Sequence, residues 1–305
     1  MPYQVLLYYK YVHLSDPEAY RDEHLALCQG LGLLGRIIVA EEGINGTVSG
    51  STEATKAYIE AMRDDPRTAD MVFKIDPAEA HAFPKLSIKV RPEIVSLGLG
   101  QEDVSPSDLT GERLSPGAFK RAMEDEDAIV LDGRNDYESA LGHFRGALCP
   151  DVKNFRDFPE WIRTHLGDAK DKKLLTYCTG GIRCEKLSAF LLKEGFKDVS
   201  QLDGGIVNYG KDESVQGEGF EGQCYVFDQR IAVEVNRVEE SAAVVSSCLR
   251  CGQASPRYVN CAFPPCNDQV FLCEACEKEH GRFCSDRCRA AKTASETSIA
   301  RLQNP

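Results

Sequence analysis

The chain has 305 residues, a length for two or three domains, and 42% hydrophobic with 28% charged residues, which excludes a mostly disordered polypeptide. No apolar run approaches the roughly 20 residues of a membrane helix, and Met1-Pro2-Tyr3-Gln4 lacks the basic and apolar regions of a signal peptide, so the expected compartment is the cytoplasm, with no membrane partner. The net charge of −12 discourages a broadly basic nucleic-acid binder, and the 13 cysteines are unevenly placed, eight of them between Cys248 and Cys288.

The first segment, residues 1–95, reads as α+β. Tyr3 to Val12 is rich in Val, Leu and Tyr and predicts a strand. Asp16-Pro17-Glu18 starts a helix, with a capping acid and a proline in the first turn, and that helix runs to about Leu31. Arg36 to Ala40 and Gly46 to Ser49 are further strands, separated by a turn over Glu41 to Gly46 that contains two glycines and an Asn. From Thr52, Ala54, Ala57, Tyr58, Ala61 and Met62 form one apolar helical stripe. Met71 to Ile75 and Lys85 to Arg91 complete a βαββαβ order with one added strand, which suggests a ferredoxin-like sandwich.

Residues 96–114 carry glycine, serine and proline without periodicity and read as a linker. Residues 115–212 alternate strand and helix: Ala128 to Leu131, the helix Pro159 to Leu166, Lys173 to Tyr177, a helix after Cys184, and Val199 to Leu202. This alternation predicts a parallel sheet covered by helices. Residues 213–305 hold one or two strands over Tyr225 to Val235, then the cysteine-rich stretch, then a polar tail after Lys292.

Lys173 to Tyr177 runs directly into Cys178-Thr179-Gly180-Gly181-Ile182-Arg183-Cys184. Ligands of parallel sheets bind at the carboxyl ends of strands. Two glycines let the backbone curl its N–H groups inward, the following helix presents its positive end, and Arg183 adds a cation. All three lower a thiol pKa, so Cys178 reads as a nucleophile, or as the carrier of a persulfide, with Arg183 as its charge partner. Cys184 reads either as a resolving thiol or as a packed helix cysteine.

Cys178-x-x-Gly-x-Arg183 resembles the active-site loop of rhodanese domains. Leu131-Asp132-Gly133-Arg134, Glu138 with Gly142-His143-Phe144-Arg145-Gly146-Ala147, and Leu202-Asp203-Gly204-Gly205 resemble the landmarks around it. Upstream, Ala40 to Gly50 and Phe83-Pro84-Lys85-Leu86-Ser87-Ile88-Lys89-Val90-Arg91 are similar to the N-terminal domain of the rhodanese-like tRNA uridine hydroxylases, which combine that domain, a rhodanese domain and, in many members, a cysteine-rich tail. The resemblance implies an α+β plus α/β multidomain enzyme that hydroxylates C5 of the wobble uridine of tRNA. It implies molecular oxygen as co-substrate and Cys178 as the active residue. Sulfur transfer and a non-catalytic tRNA-binding adaptor are the rival readings. No haem attachment motif, no G-x-G-x-x-G fingerprint and no two-His-one-carboxylate set identifies a redox cofactor.

No segment is basic overall: residues 1–100, 101–223 and 224–305 carry net −4, −8 and zero. RNA contact therefore needs a local patch. Alternation along Lys85 to Arg91 puts Leu86, Ile88 and Val90 on one face and Lys85, Lys89 and Arg91 on the other, where they suit phosphates. In the tail, Cys248-x-x-Cys251, Cys261-x4-Cys266, Cys273-x-x-Cys276 and Cys284-x3-Cys288 supply eight ligands for two structural zinc ions. The spacing leaves open which pairs share a metal; an interleaved arrangement, first pair with third and second with fourth, is the expectation, with His280 an alternative ligand.

Overall fold

The computed structural model describes residues 2–100, 104–238 and 244–303, with side chains to Ser295. Its N-terminal domain contains β1 (Tyr3–Tyr11), α1 (Pro17–Gly30), β2 (Leu34–Ala40), β3 (Gly43–Ser51), α2 (Thr52–Asp64), β4 (Phe73–Ala78) and β5 (Leu86–Val90). The sheet order is β4-β1-β3-β2-β5. This is the expected ferredoxin-like sandwich with β5 added parallel to β2. Asp16 caps α1 through the Ala19 N–H at 3.0 Å, and Ser51 caps α2. Leu6, Tyr8, Ile37, Val39 and Val48 form the core under the helices with Tyr20, Tyr58 and Met62.

Two expectations change here. The predicted turn over Glu41 to Gly46 contracts to Glu41-Glu42, because Gly43 already pairs with Ala40 and Tyr11. Ile44 and Asn45 therefore lie in a nine-residue strand rather than in a loop. The segment read as a linker is packed against its neighbours: Leu97 and Val104 lie in the second domain's core, and β6 (Glu112–Leu114) joins that domain's sheet.

The second domain continues with α3 (Pro116–Met123), β7 (Ile129–Asp132), α4 (Asp136–Ser139), β8 (Gly142–Phe144), α5 (Phe158–His165), β9 (Lys173–Tyr177), α6 (Ile182–Lys193), β10 (Asp198–Leu202) and α7 (Gly205–Lys211). Strands β6-β10-β9-β7 form the predicted parallel sheet. Arg134 is fully buried and braces this fold. It makes two hydrogen bonds to Asp132, at 2.8 and 2.6 Å, and one to the Gly142 carbonyl at 2.6 Å. The chain then forms β11 (Phe220–Tyr225), β12 (Ala232–Glu234), β13 (Tyr258–Asn260), β14 (Gln269–Phe271), α8 (Glu274–His280) and α9 (Asp286–Gln303). Rings of Tyr137, Tyr225 and Tyr258 dock the tail on the second domain. No helix among the described residues is long and apolar enough to cross a membrane.

The two domains meet across the helix-free face of the first sheet. Lys186 of α6 is completely buried, and its ammonium reaches Glu42 at 2.9 Å and Glu93 at 2.7 Å. Removing one member of a buried ion group strands the others. Lys186→Met is expected to lower the unfolding free energy by roughly 3 kcal/mol. Lys197→Met, which breaks the exposed pair with Asp171, is expected to leave the urea midpoint unchanged. Equal effects at the two positions would show that Lys186 is not the clasp between the domains.

Candidate active site

Cys178 follows β9, a strand flanked on both sides within the sheet, so its backbone is fixed by parallel neighbours. Gly181 caps α6 with φ of 100°, a conformation that suits glycine. In this bend the Gly181 N–H donates to Cys178 Sγ at 3.1 Å. The loop is clamped from behind: Ile206 N–H and Val207 N–H donate to the carbonyls of Cys178 and Thr179 at 2.9 and 3.1 Å. That approach requires Gly205, where a Cβ would stand 2.4 Å from the Cys178 carbonyl oxygen.

Cys178 is 0% exposed. Burial is the largest influence on its thiol and raises the pKa. The Cys184 thiol, the Arg183 charge and the backbone N–H groups of Cys184 and Gly181 together outweigh burial and hold Cys178 well below the ordinary thiol value. Cys184 moves the other way, raised first by burial and then by its negative neighbour. The two neighbouring thiols are thus pushed in opposite directions, Cys178 toward the thiolate and Cys184 toward the thiol.

Arg183 acts on Cys178 through space. Its guanidinium is bidentate on the buried Glu138 carboxylate, at 2.5 and 2.8 Å, with Thr179 Oγ1 at 3.4 Å. Glu138 belongs to the Asn135 capping box, where its carboxylate accepts from the Asn135 N–H at 3.2 Å. The spacing Asn135-x-x-Glu138 carried that box. Its pairing with Arg183 joins residues 45 positions apart and had no local signal.

The N-terminal domain seals the loop. Leu7 packs on Gly180, where an added Cβ would lie 3.0 Å from the leucine, and the Tyr9 hydroxyl stands 2.9 Å from the point a Gly181 Cβ would occupy. Tyr9 donates to Glu185 at 3.1 Å and Tyr11 to the Ile182 carbonyl at 3.3 Å. Nothing local in the Tyr-rich first strand marked it as a cover for Cys178, because the contact exists only once the domains pack.

The eight tail cysteines gather into two groups, Cys248, Cys251, Cys273 and Cys276 in one and Cys261, Cys266, Cys284 and Cys288 in the other, each with its sulfurs within 4.8 Å of one another. The groups are interleaved, an arrangement the spacing alone did not fix, and His280 lies outside both. Lys85, Lys89 and Arg91 are exposed and join Arg36 around a groove of about 530 Å³. Among the described residues, none of these four cations forms an ion pair with a carboxylate.

The thiolate has a direct signature. The ultraviolet thiolate absorbance of Cys178, taken as the difference between the native chain and Cys178→Ser, is expected to stay constant from pH 7 to 9, because the lowered pKa leaves the sulfur charged throughout. An ordinary cysteine, with a pKa of about 8.5, gains most of its thiolate across that range. A Cys178 signal that climbs in that manner would show that burial, not Arg183 and the loop N–H groups, governs its charge.

Three family models match this chain: the UPF0176 acylphosphatase like domain at residues 3–94, the Rhodanese-like domain at 115–212 and the Rhodanase C-terminal region at 221–289. A Bacillus licheniformis protein named tRNA uridine(34) hydroxylase is 56% identical over 287 residues, covering 94% of this chain and 88% of its own length. Proteins of the same name from Oceanobacillus iheyensis and Bacillus pumilus are 54% and 53% identical, covering 94% and 95% of this chain and 88% and 89% of their own. With this similarity running through all three regions, the chain belongs to the family of tRNA uridine(34) hydroxylases.

Proposed function

We propose that this protein hydroxylates C5 of the wobble uridine of tRNA, giving 5-hydroxyuridine, with Cys178 as nucleophile and molecular oxygen as co-substrate. The carrying observation is the Cys178 loop: a sulfur placed by β9, held as thiolate by the Gly181 N–H, Cys184 and Arg183, in a chain whose relatives bear that activity in their names. The thiolate adds to C6 of uracil, forming a C–S bond and moving the C5–C6 π pair to C5 as an enolate. C5 then takes one oxygen atom from dioxygen, and the other leaves as water with two electrons and two protons from a soluble dithiol reductant, which becomes a disulfide. Loss of the C5 proton and departure of the thiolate restore the ring. Arg183 maintains the thiolate, and Glu138 holds Arg183 in place.

Lys85, Lys89 and Arg91 suit the phosphates of the RNA, and tRNA as substrate agrees with a cytoplasmic setting. The two cysteine groups suit structural zinc. Zn–S bonds of about 2.3 Å in a tetrahedron put sulfurs about 3.8 Å apart, and Cys251–Cys273, Cys266–Cys284 and Cys284–Cys288 stand at 3.8, 3.6 and 3.5 Å. Four cysteines per ion leave no open coordination position, so zinc here holds the fold and takes no part in the reaction.

Nucleoside mass spectrometry of tRNA from cells expressing Cys178→Ala in place of the native chain is expected to lack 5-hydroxyuridine at position 34. Unchanged 5-hydroxyuridine would overturn the role of Cys178, and intact hydroxylation with altered thiolation would favour sulfur transfer. For the tail, elemental analysis is expected to give two zinc ions per chain, falling to one in Cys251→Ser and to one in Cys266→Ser. A metal content of zero in the native chain, or two in either variant, contradicts the assignment.

A further inference from the structure

A cavity of about 360 Å³ opens between the N-terminal and second domains, with Tyr9, Tyr11, Lys74, Arg113, Gly204 and Asn208 in its walls. Its size falls within the range of about 300–1,000 Å³ typical of small-molecule sites. It adjoins the Cys178 loop: the Gly204 Cα lies 3.5 Å, and the Tyr9 hydroxyl 2.9 Å, from the point a Gly181 Cβ would occupy.

The charges in this cavity are not all matched. Lys10 pairs with Asp70, and Arg113 with Glu185 at 2.8 Å. Lys74 stands opposite Leu7 in the β1–β4 register, which puts it on the sheet face that covers the loop. It is 8% exposed. Among the described residues it forms neither an ion pair nor a hydrogen bond, and its ammonium rests 5.3 Å from the Tyr9 ring centroid. Burial lowers its pKa first; Cys178, Asp203 and Glu185 act to raise it, and Lys211 to lower it further. Its Nζ reaches the cavity and keeps contact with solvent there, so its N–H donors are open to an acceptor that enters.

We propose that this cavity receives the uracil base of the target nucleotide, with Lys74 donating to O4 and the rings of Tyr9 and Tyr11 meeting the base face. Enzymes that act on a base take it out of its stack and read its edge in a pocket with aromatic walls. An ammonium at the 4-position accepts a uracil carbonyl and rejects the amino group of cytosine, so Lys74 sets specificity for uracil. O4 is also the atom on which negative charge collects when a nucleophile adds at C6. This inference rests on the tRNA uridine reading.

Two measurements test it. An anticodon stem-loop RNA carrying 5-iodouridine at position 34 is irradiated with the native chain, and the crosslinked peptide is identified by mass spectrometry. The crosslink is expected at Tyr9 or Tyr11. A crosslink confined to other peptides overturns the proposal, Lys85 to Arg91 included. Fluorescence anisotropy then compares stem-loops with uridine or cytidine at that position. The native chain is expected to prefer uridine by about tenfold, Lys74→Met to lose the preference, and Lys74→Arg to keep most of it. A preference unchanged in a folded Lys74→Met protein refutes the specificity role, and if that variant does not fold, the native crosslink decides. A native chain that binds neither stem-loop overturns the tRNA reading itself, and this inference with it.

Discussion

Three charged side chains in the first two turns of α6, Arg183, Glu185 and Lys186, are buried, and each is answered from a different part of the chain. Arg183 meets Glu138 of the capping box before β8. Glu185 collects Tyr9, Thr110, Arg113 and Gln201. Lys186 meets Glu42 and Glu93. Buried charges are tolerated only when paired, so the start of α6 sets where the N-terminal domain, the segment before β6 and α4 must lie. The Cys178 loop sits at the centre of that arrangement, and its geometry follows from the same pairings.

The order of elements was largely legible because the signals are local. Lys173 to Tyr177 forms the strand its composition predicts, and Asp16-Pro17 starts α1 through an observed cap bond. Cysteine spacing anticipated the two sulfur groups, because short knuckles carry both ligands to one point. The bend at Cys178 was legible for a similar reason: strand, glycines, helix and arginine lie within a few residues. Signals failed where tertiary packing overrides local preference. Gly43 to Asn45 look like a turn, yet pairing on both sides draws them into β3. Residues 96–114 have the composition of a tether, yet Leu97 is buried and β6 adds to a sheet edge.

Tyr9 and Lys74, which sequence reasoning missed, have ordinary neighbours in sequence and become informative only by what they face. Glu138 stood out by resemblance, but its pairing with Arg183 did not. Glu138 also changes the reading of Arg183. A lone cation next to Cys178 would be a direct ligand for a bound anion, whereas a bidentate guanidinium is rigid, partly neutralised and oriented by its carboxylate. Its charge still acts on the sulfur through space and lowers the Cys178 pKa.

The seal that Leu7 and Tyr9 place over Gly180 and Gly181 also bears on side reactions of the thiol beneath it. The thiolate is the form of cysteine that oxidises, and exposure sets how fast; a disulfide must moreover reach the sulfur in line to exchange with it. A fully buried Cys178 offers no such approach while the two domains stay packed, so anything that reacts at that sulfur has to part them or enter through the cavity beside the loop. Protection of the thiol is thus a property of the domain interface, and loosening that interface would expose it.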